Sequence, residues 1–209
     1  MLRTYAIAAT GLVVAMTAGV FLYTQFAAEP DKYAQCRSTA IAGGTSQIGG
    51  PFTLIDETGA TVTDADVIDQ PSLLYFGYTF CPDVCPLDTA RNAEAIDILE
   101  ERGLMVKPVF ISIDPERDTP EVVDAFTANL HERMLGLTGT PDQVREASRA
   151  YRTFFQKQEP TAGNEDYYLV DHSTMSYLVF PGEGLVEVFQ RSLRADDVAD
   201  RVQCFLEAS

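Results

Sequence analysis

Blocks of apolar residues with strand and helix lengths follow one another along most of this chain. An apolar and aromatic run covers residues 73–80, which is the composition of a strand buried on both faces, and a second buried strand is predicted at residues 106–113. Between them, residues 87–102 place Ala90, Ala93, Ile96 and Leu99 at helical spacing, and Gly103 closes the helix. This strand–helix–strand order predicts an α/β domain.

The remaining pattern extends the domain in both directions. Residues 52–63 predict an N-terminal β-hairpin around a glycine turn. Thr119-Pro120 and Thr140-Pro141 predict the starts of helices that reach about Leu130 and Phe155, and residues 156–166 predict a polar loop. Strands are predicted at 167–170, 176–180 and 185–189, and a last helix at 195–206. We therefore predict one domain over residues 48–209.

A different pattern occupies the N-terminus. Arg3 precedes an uncharged segment from Tyr5 to Ala28, which is long enough to span a bilayer. We predict a transmembrane anchor over residues 1–28 with a cytoplasmic N-terminus, followed by a linker over 29–47; a cleaved signal peptide is the alternative. Because no arginine-rich leader is present, a bacterial inner membrane with the domain in the periplasm fits better than an organelle.

Charge narrows the choice of partners. The formal net charge is −16, and no basic stripe offsets it. This balance argues against nucleic-acid binding. It suits solubility and repulsion from anionic lipid, or docking to a basic partner, and charge alone does not choose between them.

Two cysteines end the first buried strand, in the sequence Cys81-Pro82-Asp83-Val84-Cys85-Pro86. The prolines place them at the start of the main helix, where the dipole favours thiolates. Three residues separate the cysteines, whereas thioredoxin-type redox motifs have two. Cβ atoms four residues apart on a helix lie about 5–6 Å apart, which suits a metal better than a disulfide but does not settle the choice.

A third ligand must come from a short list, because the chain contains two histidines. His131 lies among charged residues at a predicted helix end, a setting typical of a solvated surface histidine. His172 precedes an apolar run, where loops at the ends of central strands can meet. Spacing alone leaves open whether His172 reaches the cysteines. Asp171 would orient its ring only if the chain turns there.

A further motif, Ile113-Asp-Pro-Glu-Arg-Asp-Thr119, follows the second buried strand. A strand-to-helix connection accounts for most of it, since Thr119, Pro120 and Glu121 are typical of a helix start. Direct ligation by Asp114, Arg117 or Asp118 is the less favoured interpretation.

Three motifs together carry a resemblance. Cys-Pro-Asp-Val-Cys-Pro at 81–86, Ile-Asp-Pro-Glu-Arg-Asp-Thr at 113–119 and Val-Asp-His-Ser at 170–173 follow a single apolar segment in this order. In this the chain resembles the Sco/SenC family of membrane-anchored copper chaperones, from about Gly49 to Phe205.

The resemblance implies a thioredoxin-like fold with a central mixed sheet flanked by helices. It also implies that Cys81, Cys85 and His172 bind copper, as Cu(I) or alternatively Cu(II). The implied partners are the copper-binding subunit of cytochrome c oxidase, whose binuclear centre receives the metal, and a periplasmic copper donor protein.

We expect a metal carrier rather than an enzyme. The alternative is a membrane-tethered thiol–disulfide reductase that uses Cys81 and Cys85 on a copper acceptor. The extra spacer residue, and the lack of a proline before the strand after His172, weaken a general oxidoreductase interpretation.

Two cysteines remain if Cys81 and Cys85 are kept for metal. Cys36 lies in the predicted linker and Cys204 in the last predicted helix. In an oxidising compartment such residues can pair, and we hypothesise a disulfide that pins the linker to the domain.

Overall fold

The computed structural model describes residues 2–26, 31–37, 48–160 and 167–209. Most of the predicted linker and the end of the predicted polar loop lie outside these residues. The chain forms two compact units, residues 1–35 and 36–209. The first contains helix α1, Leu2–Phe26. Within the described residues, no helix combines the length and apolar character that crossing a bilayer requires, so the membrane anchor stays a prediction.

The second unit contains the remaining strands and helices. Its strands are β1 Thr53–Asp56, β2 Thr61–Thr63, β3 Ser72–Gly77, β4 Lys107–Ser112, β5 Leu135–Thr138, β6 Phe155–Lys157, β7 Val170–His172, β8 Met175–Phe180 and β9 Gly184–Gln190. Its helices are α2 Asp64–Val67, α3 Val84–Glu101, α4 Pro120–Ala128, α5 Pro141–Ala150 and α6 Ala195–Glu207.

Seven strands form a mixed sheet in the order β2-β1-β5-β4-β3-β8-β9. β3 pairs in parallel with β4 and antiparallel with β8, while β4 and β5 are parallel. All six residues of β3 are buried, as expected for a central strand covered on both faces. The predicted mixed sheet flanked by helices is confirmed.

Local sequence explains most element boundaries. The predicted hairpin is present as β1 and β2. Thr140 and Gln143 form a reciprocal capping box at the start of α5. α5 ends at Ala150, before the predicted Phe155, and Arg152 turns the chain with a φ of 50°. Phe155 instead begins β6, which pairs with β7 in a separate two-stranded sheet.

The hypothesis about the two remaining cysteines is confirmed. A disulfide joins Cys36 to Cys204 in α6, with 5.7 Å between their Cα atoms. Cys81 and Cys85 are free thiols. The oxidised pair therefore ties the start of the second unit to its last helix.

Candidate metal centre

Strand β3 and helix α3 position the two free cysteines. Cys85 is the second residue of α3, close to the predicted helix start, and its backbone N–H donates to Cys81 Sγ at 3.3 Å. Gly77 lies behind Cys85, where an added Cβ would lie 3.0 Å from Cys85 Sγ. A glycine at the end of β3 therefore lets the buried sulfur pack against the backbone.

The short sheet of β6 and β7 brings His172 to the cysteines. Phe155 pairs with His172 across this sheet. His172 Nε2 lies 3.2 Å from Cys85 Sγ, and the ligand atoms of Cys81, Cys85 and His172 all lie within 4.8 Å of one another. The structure thus brings together all three residues that the resemblance indicates.

The backbone, not Asp171, sets the orientation of the histidine ring. His172 Nδ1 donates to the carbonyl oxygen of Ser173 at 2.8 Å, which leaves the Nε2 lone pair facing Cys85. Asp171 is exposed and accepts a hydrogen bond from Gln158 at 2.7 Å. Because β7 is extended here, the two neighbouring side chains point in opposite directions, and the contact from Asp171 to the ring, which required a turn at this position, is not formed.

The two sulfurs share one proton unequally. A hydrogen bond from the Cys85 thiol, aided by hydrogen bonds from the backbone amides of Asp83 and Cys85, lowers the pKa of Cys81 well below its usual range. The same hydrogen bond and burial raise the pKa of Cys85. Cys81 is therefore the thiolate of the pair, as a nucleophile or a metal ligand requires.

The donor set fits one soft metal ion. With sulfur bonds of about 2.3 Å, two sulfurs in a trigonal site lie about 4 Å apart, and the observed donor separations are compatible with this. Two sulfurs and one imidazole form a set that soft ions prefer. Met175 packs against the core, as the sequence favours.

Beneath the ligands lies a contact that the sequence analysis missed. The Tyr75 hydroxyl donates to Asp88 Oδ2 at 3.0 Å, and both side chains are buried. Burial, together with the negative charges of the cysteine pair and Asp88, raises the pKa of Tyr75. Asp88 lies three residues after Cys85 on α3, so helical spacing was the available signal.

Asp118 in the 113–119 motif holds the loop that leads to Cys81. Its carboxylate accepts from the Thr79 N–H at 3.0 Å, the Thr79 hydroxyl at 2.6 Å and the Ser112 hydroxyl at 2.6 Å. Burial raises the pKa of Asp118, and these hydrogen bonds oppose that rise. Asp118 thus supports the ligand loop without ligating.

Asp114 and Arg117 hold the opposite segment, which leads to His172. Asp114 accepts from the Tyr168 hydroxyl at 2.7 Å and from Arg117 Nε at 2.6 Å. Arg117 also donates to the Tyr168 carbonyl at 3.1 Å, and its guanidinium carbon lies 3.6 Å from the Tyr168 ring centre. The strand-to-helix connection therefore contacts the segments on both sides of the centre.

We expect Asp118→Ala to lower the free energy of unfolding by about 2 kcal/mol, because the buried Ser112 hydroxyl and two half-buried donors of Thr79 lose their acceptor, and an unsatisfied buried donor costs about 1–3 kcal/mol. Urea denaturation measures this change. Glu116→Gln is the matched control in the same motif: its exposed ion pair with Lys157 is worth less than about 1 kcal/mol. Equal stability of the two variants would contradict the supporting role of Asp118.

His131 lies away from the centre, and its predicted surface exposure is wrong. Its side chain is 5% exposed, and Nε2 lies 3.3 Å from Asp97 and 3.4 Å from Glu100. Nδ1 accepts from the Arg133 N–H at 3.1 Å. These contacts give His131 a structural role within the described residues.

Comparison with known proteins places the chain in one family. The SCO1/SenC family profile matches residues 41–207. Protein SenC of Rhodobacter capsulatus is 50% identical over 206 residues, which cover 99% of this chain and 91% of that protein.

Solved structures of Sco proteins are also similar to this chain. The crystal structure of Arabidopsis thaliana ScoI with copper bound has a TM-score of 0.71 and 40% identity, and the match covers 77% of this chain and 99% of that chain. Yeast Sco1 with copper bound has a TM-score of 0.72 and 33% identity, covering 78% and 90%. The fold expected from the resemblance is confirmed, and the chain belongs to the SCO1/SenC family.

Proposed function

We propose that this protein is a copper chaperone that binds Cu(I) through Cys81, Cys85 and His172. The observation that carries the proposal is the convergence of two sulfurs and one imidazole nitrogen within 4.8 Å. Thiolates select Cu(I), which tolerates three ligands, whereas structural zinc requires four. The copper-bound relatives from Arabidopsis and yeast support the choice of metal.

Delivery to the binuclear copper centre of cytochrome c oxidase is the function that best suits such a site. Cys85 is fully buried, while Cys81 retains slight exposure and His172 is half-buried, so the ligands have one accessible side. An incomplete ligand set lets the cysteines and histidine of an acceptor enter before the chaperone's own ligands leave. A periplasmic donor protein would load the site.

We place the domain on the periplasmic face of a bacterial inner membrane. The uncharged segment from Tyr5 to Ala28 supports an anchor, and the Cys36–Cys204 disulfide supports an oxidising compartment.

A membrane-tethered thiol–disulfide reductase is the second candidate. The lowered pKa of Cys81, caused by the hydrogen bond from Cys85, favours it because a thiolate is the attacking species in disulfide exchange. In that function Cys81 and Cys85 cycle between thiols and a disulfide, and His172 is dispensable.

His172→Ala tests the chaperone against the reductase. We expect Cu(I) affinity to fall by about 100-fold, at the upper end of losses that follow removal of an outer-shell partner, because a direct ligand is lost. The full chain in detergent would be titrated anaerobically with Cu(I) against a chromogenic chelator. The control His131→Ala removes the other histidine and should retain the wild-type affinity.

The opposite result has a clear meaning. Suppose that Cu(I) binds weakly, that His172→Ala leaves the affinity unchanged, and that Cys81 and Cys85 cycle rapidly between thiols and a disulfide. The reductase would then replace the chaperone as the proposed function.

A further inference from the structure

Exposed apolar side chains are concentrated around the metal centre. Outside α1, five large apolar side chains of the described residues are more than half exposed: Phe80, Leu87, Met105, Phe154 and Tyr167. Three of them, Phe80, Leu87 and Phe154, adjoin the segments that carry the ligands, and we call these three the apolar rim. Such concentration on a folded domain is typical of an interaction surface.

Each member of the apolar rim adjoins one ligand. Phe80 directly precedes Cys81. Leu87 lies in the same helical turn as Cys85, on the outward side with half-buried Val84. Phe154 lies next to the His172 segment, because its N–H donates to the Ser173 hydroxyl at 3.0 Å and its carbonyl accepts from the Ser173 N–H at 2.9 Å.

Phe80 and Phe154 of the apolar rim are held in place by the same contacts that position the candidate ligands. The guanidinium carbon of Arg117 lies 4.9 Å from the Phe80 ring centre, an attractive cation–π distance. The two backbone bonds to Ser173 fix Phe154 beside the carbonyl that orients His172. A surface fixed before binding loses less conformational freedom when a partner docks.

Charge indicates which partner suits this surface. Asp83 lies between the cysteines and Asp171 beside His172, and both are exposed. The chain as a whole carries −16, so a second copy or an anionic lipid surface would be repelled. A protein face with apolar residues at its centre and basic residues at its edge would complement both the apolar rim and the negative charge around it.

We propose that the apolar rim is the docking surface for a protein copper acceptor whose own face is apolar with basic side chains at its edge. This inference rests on the proposed function. Docking brings the acceptor's thiolates beside Cys81 and Cys85. Each copper–sulfur bond that forms with the acceptor replaces one that breaks here, and copper stays Cu(I). Each acceptor thiol that binds copper loses its proton, which passes to a departing sulfur of this protein or to water.

The test compares the triple variant Phe80→Ser, Leu87→Ser, Phe154→Ser with the matched control Met105→Ser. Met105 is equally exposed but follows the far end of α3, whose 18 residues span about 27 Å. Full chains in detergent, loaded with Cu(I), would be mixed in a stopped-flow instrument with the purified binuclear-copper domain of cytochrome c oxidase. We expect the triple variant to transfer copper at least 10-fold more slowly and the control at the wild-type rate.

Two further readouts separate docking from folding and metal binding. The triple variant should keep the wild-type Cu(I) affinity, urea midpoint and rate of transfer to a small chelator, because none of its residues is a ligand or buried. Transfer to the protein acceptor should slow with rising salt, and Asp83→Asn with Asp171→Asn should reduce that salt dependence.

Each remaining outcome has a distinct meaning. If the wild type transfers copper and the triple variant transfers it equally fast, the docking surface is overturned while the chaperone stands. If the wild type binds no copper or transfers none, the proposed function itself fails. A wild-type dimer in sedimentation that the triple variant loses would assign the apolar rim to a second copy and overturn the proposal.

Discussion

Cys85→Ser is expected to weaken Cu(I) binding by more than about 10³-fold, beyond the 10–100-fold typical of outer-shell changes. Cys85 is fully buried, and its Sγ lies 3.2 Å from His172 Nε2, so its sulfur is at the centre of the donor cluster. A serine hydroxyl is a hard donor, which Cu(I) disfavours. Gly77 closes the space behind the sulfur, which leaves little room for a compensating shift.

Competition with a Cu(I) chelator, without oxygen, measures this loss. The control is Cys36→Ser with Cys204→Ser, which removes two sulfurs remote from the ligand cluster and should retain one tightly bound copper per chain. Wild-type affinity in Cys85→Ser would refute the centre.

Among the variants proposed for this protein, removal of the Cys36–Cys204 disulfide should have the second largest effect, a loss of folding stability. Cys36→Ser with Cys204→Ser is expected to lower the free energy of unfolding by about 2–5 kcal/mol. The 168-residue separation between the cysteines places the loss towards the upper end, because long loops restrict the unfolded chain most. Urea denaturation of oxidised wild type and the double variant measures the difference.

The reciprocal control exchanges the two cysteine pairs. Cys81→Ser with Cys85→Ser removes two free thiols and no disulfide, so its change in stability should be smaller than that of the Cys36, Cys204 double variant. Adding reductant to the wild type should reproduce the loss of stability. An unchanged urea midpoint after reduction would show that the disulfide does not stabilise the fold.

Strong local signals made much of the fold predictable. The apolar run before Cys81 predicts β3, and the prolines at 82 and 86 predict the start of α3. The glycine turn predicts the β1–β2 hairpin. In each case short-range sterics or periodicity decides the structure, so a few neighbouring residues suffice.

Very short strands, and contacts between residues far apart in the chain, could not be predicted from the sequence. β5 has four residues and includes Gly136, where an added Cβ would lie 2.4 Å from Val123 Cγ1. That close packing with α4 could not be read from a glycine alone. β6 forms only because β7, more than ten residues later, supplies its partner.

The metal centre also has features that local sequence predicts and features that depend on distant contacts. The two cysteines and His172 were named from motifs, but their meeting depends on the β6–β7 pairing. The hydrogen bonds from Thr79 to Asp118 join residues 39 apart, which no local pattern predicts. The sequence therefore identified the candidate ligands better than the residues that hold them.

The Cys36–Cys204 bond has a topological consequence. It closes residues 36–204 into one covalent ring that contains Cys81, Cys85 and His172. A single protease cut anywhere inside this ring leaves the chain in one piece until the disulfide is reduced. Tension applied between the N-terminal segment and the C-terminus would pass through the disulfide, so the residues that carry the metal centre would bear none of it.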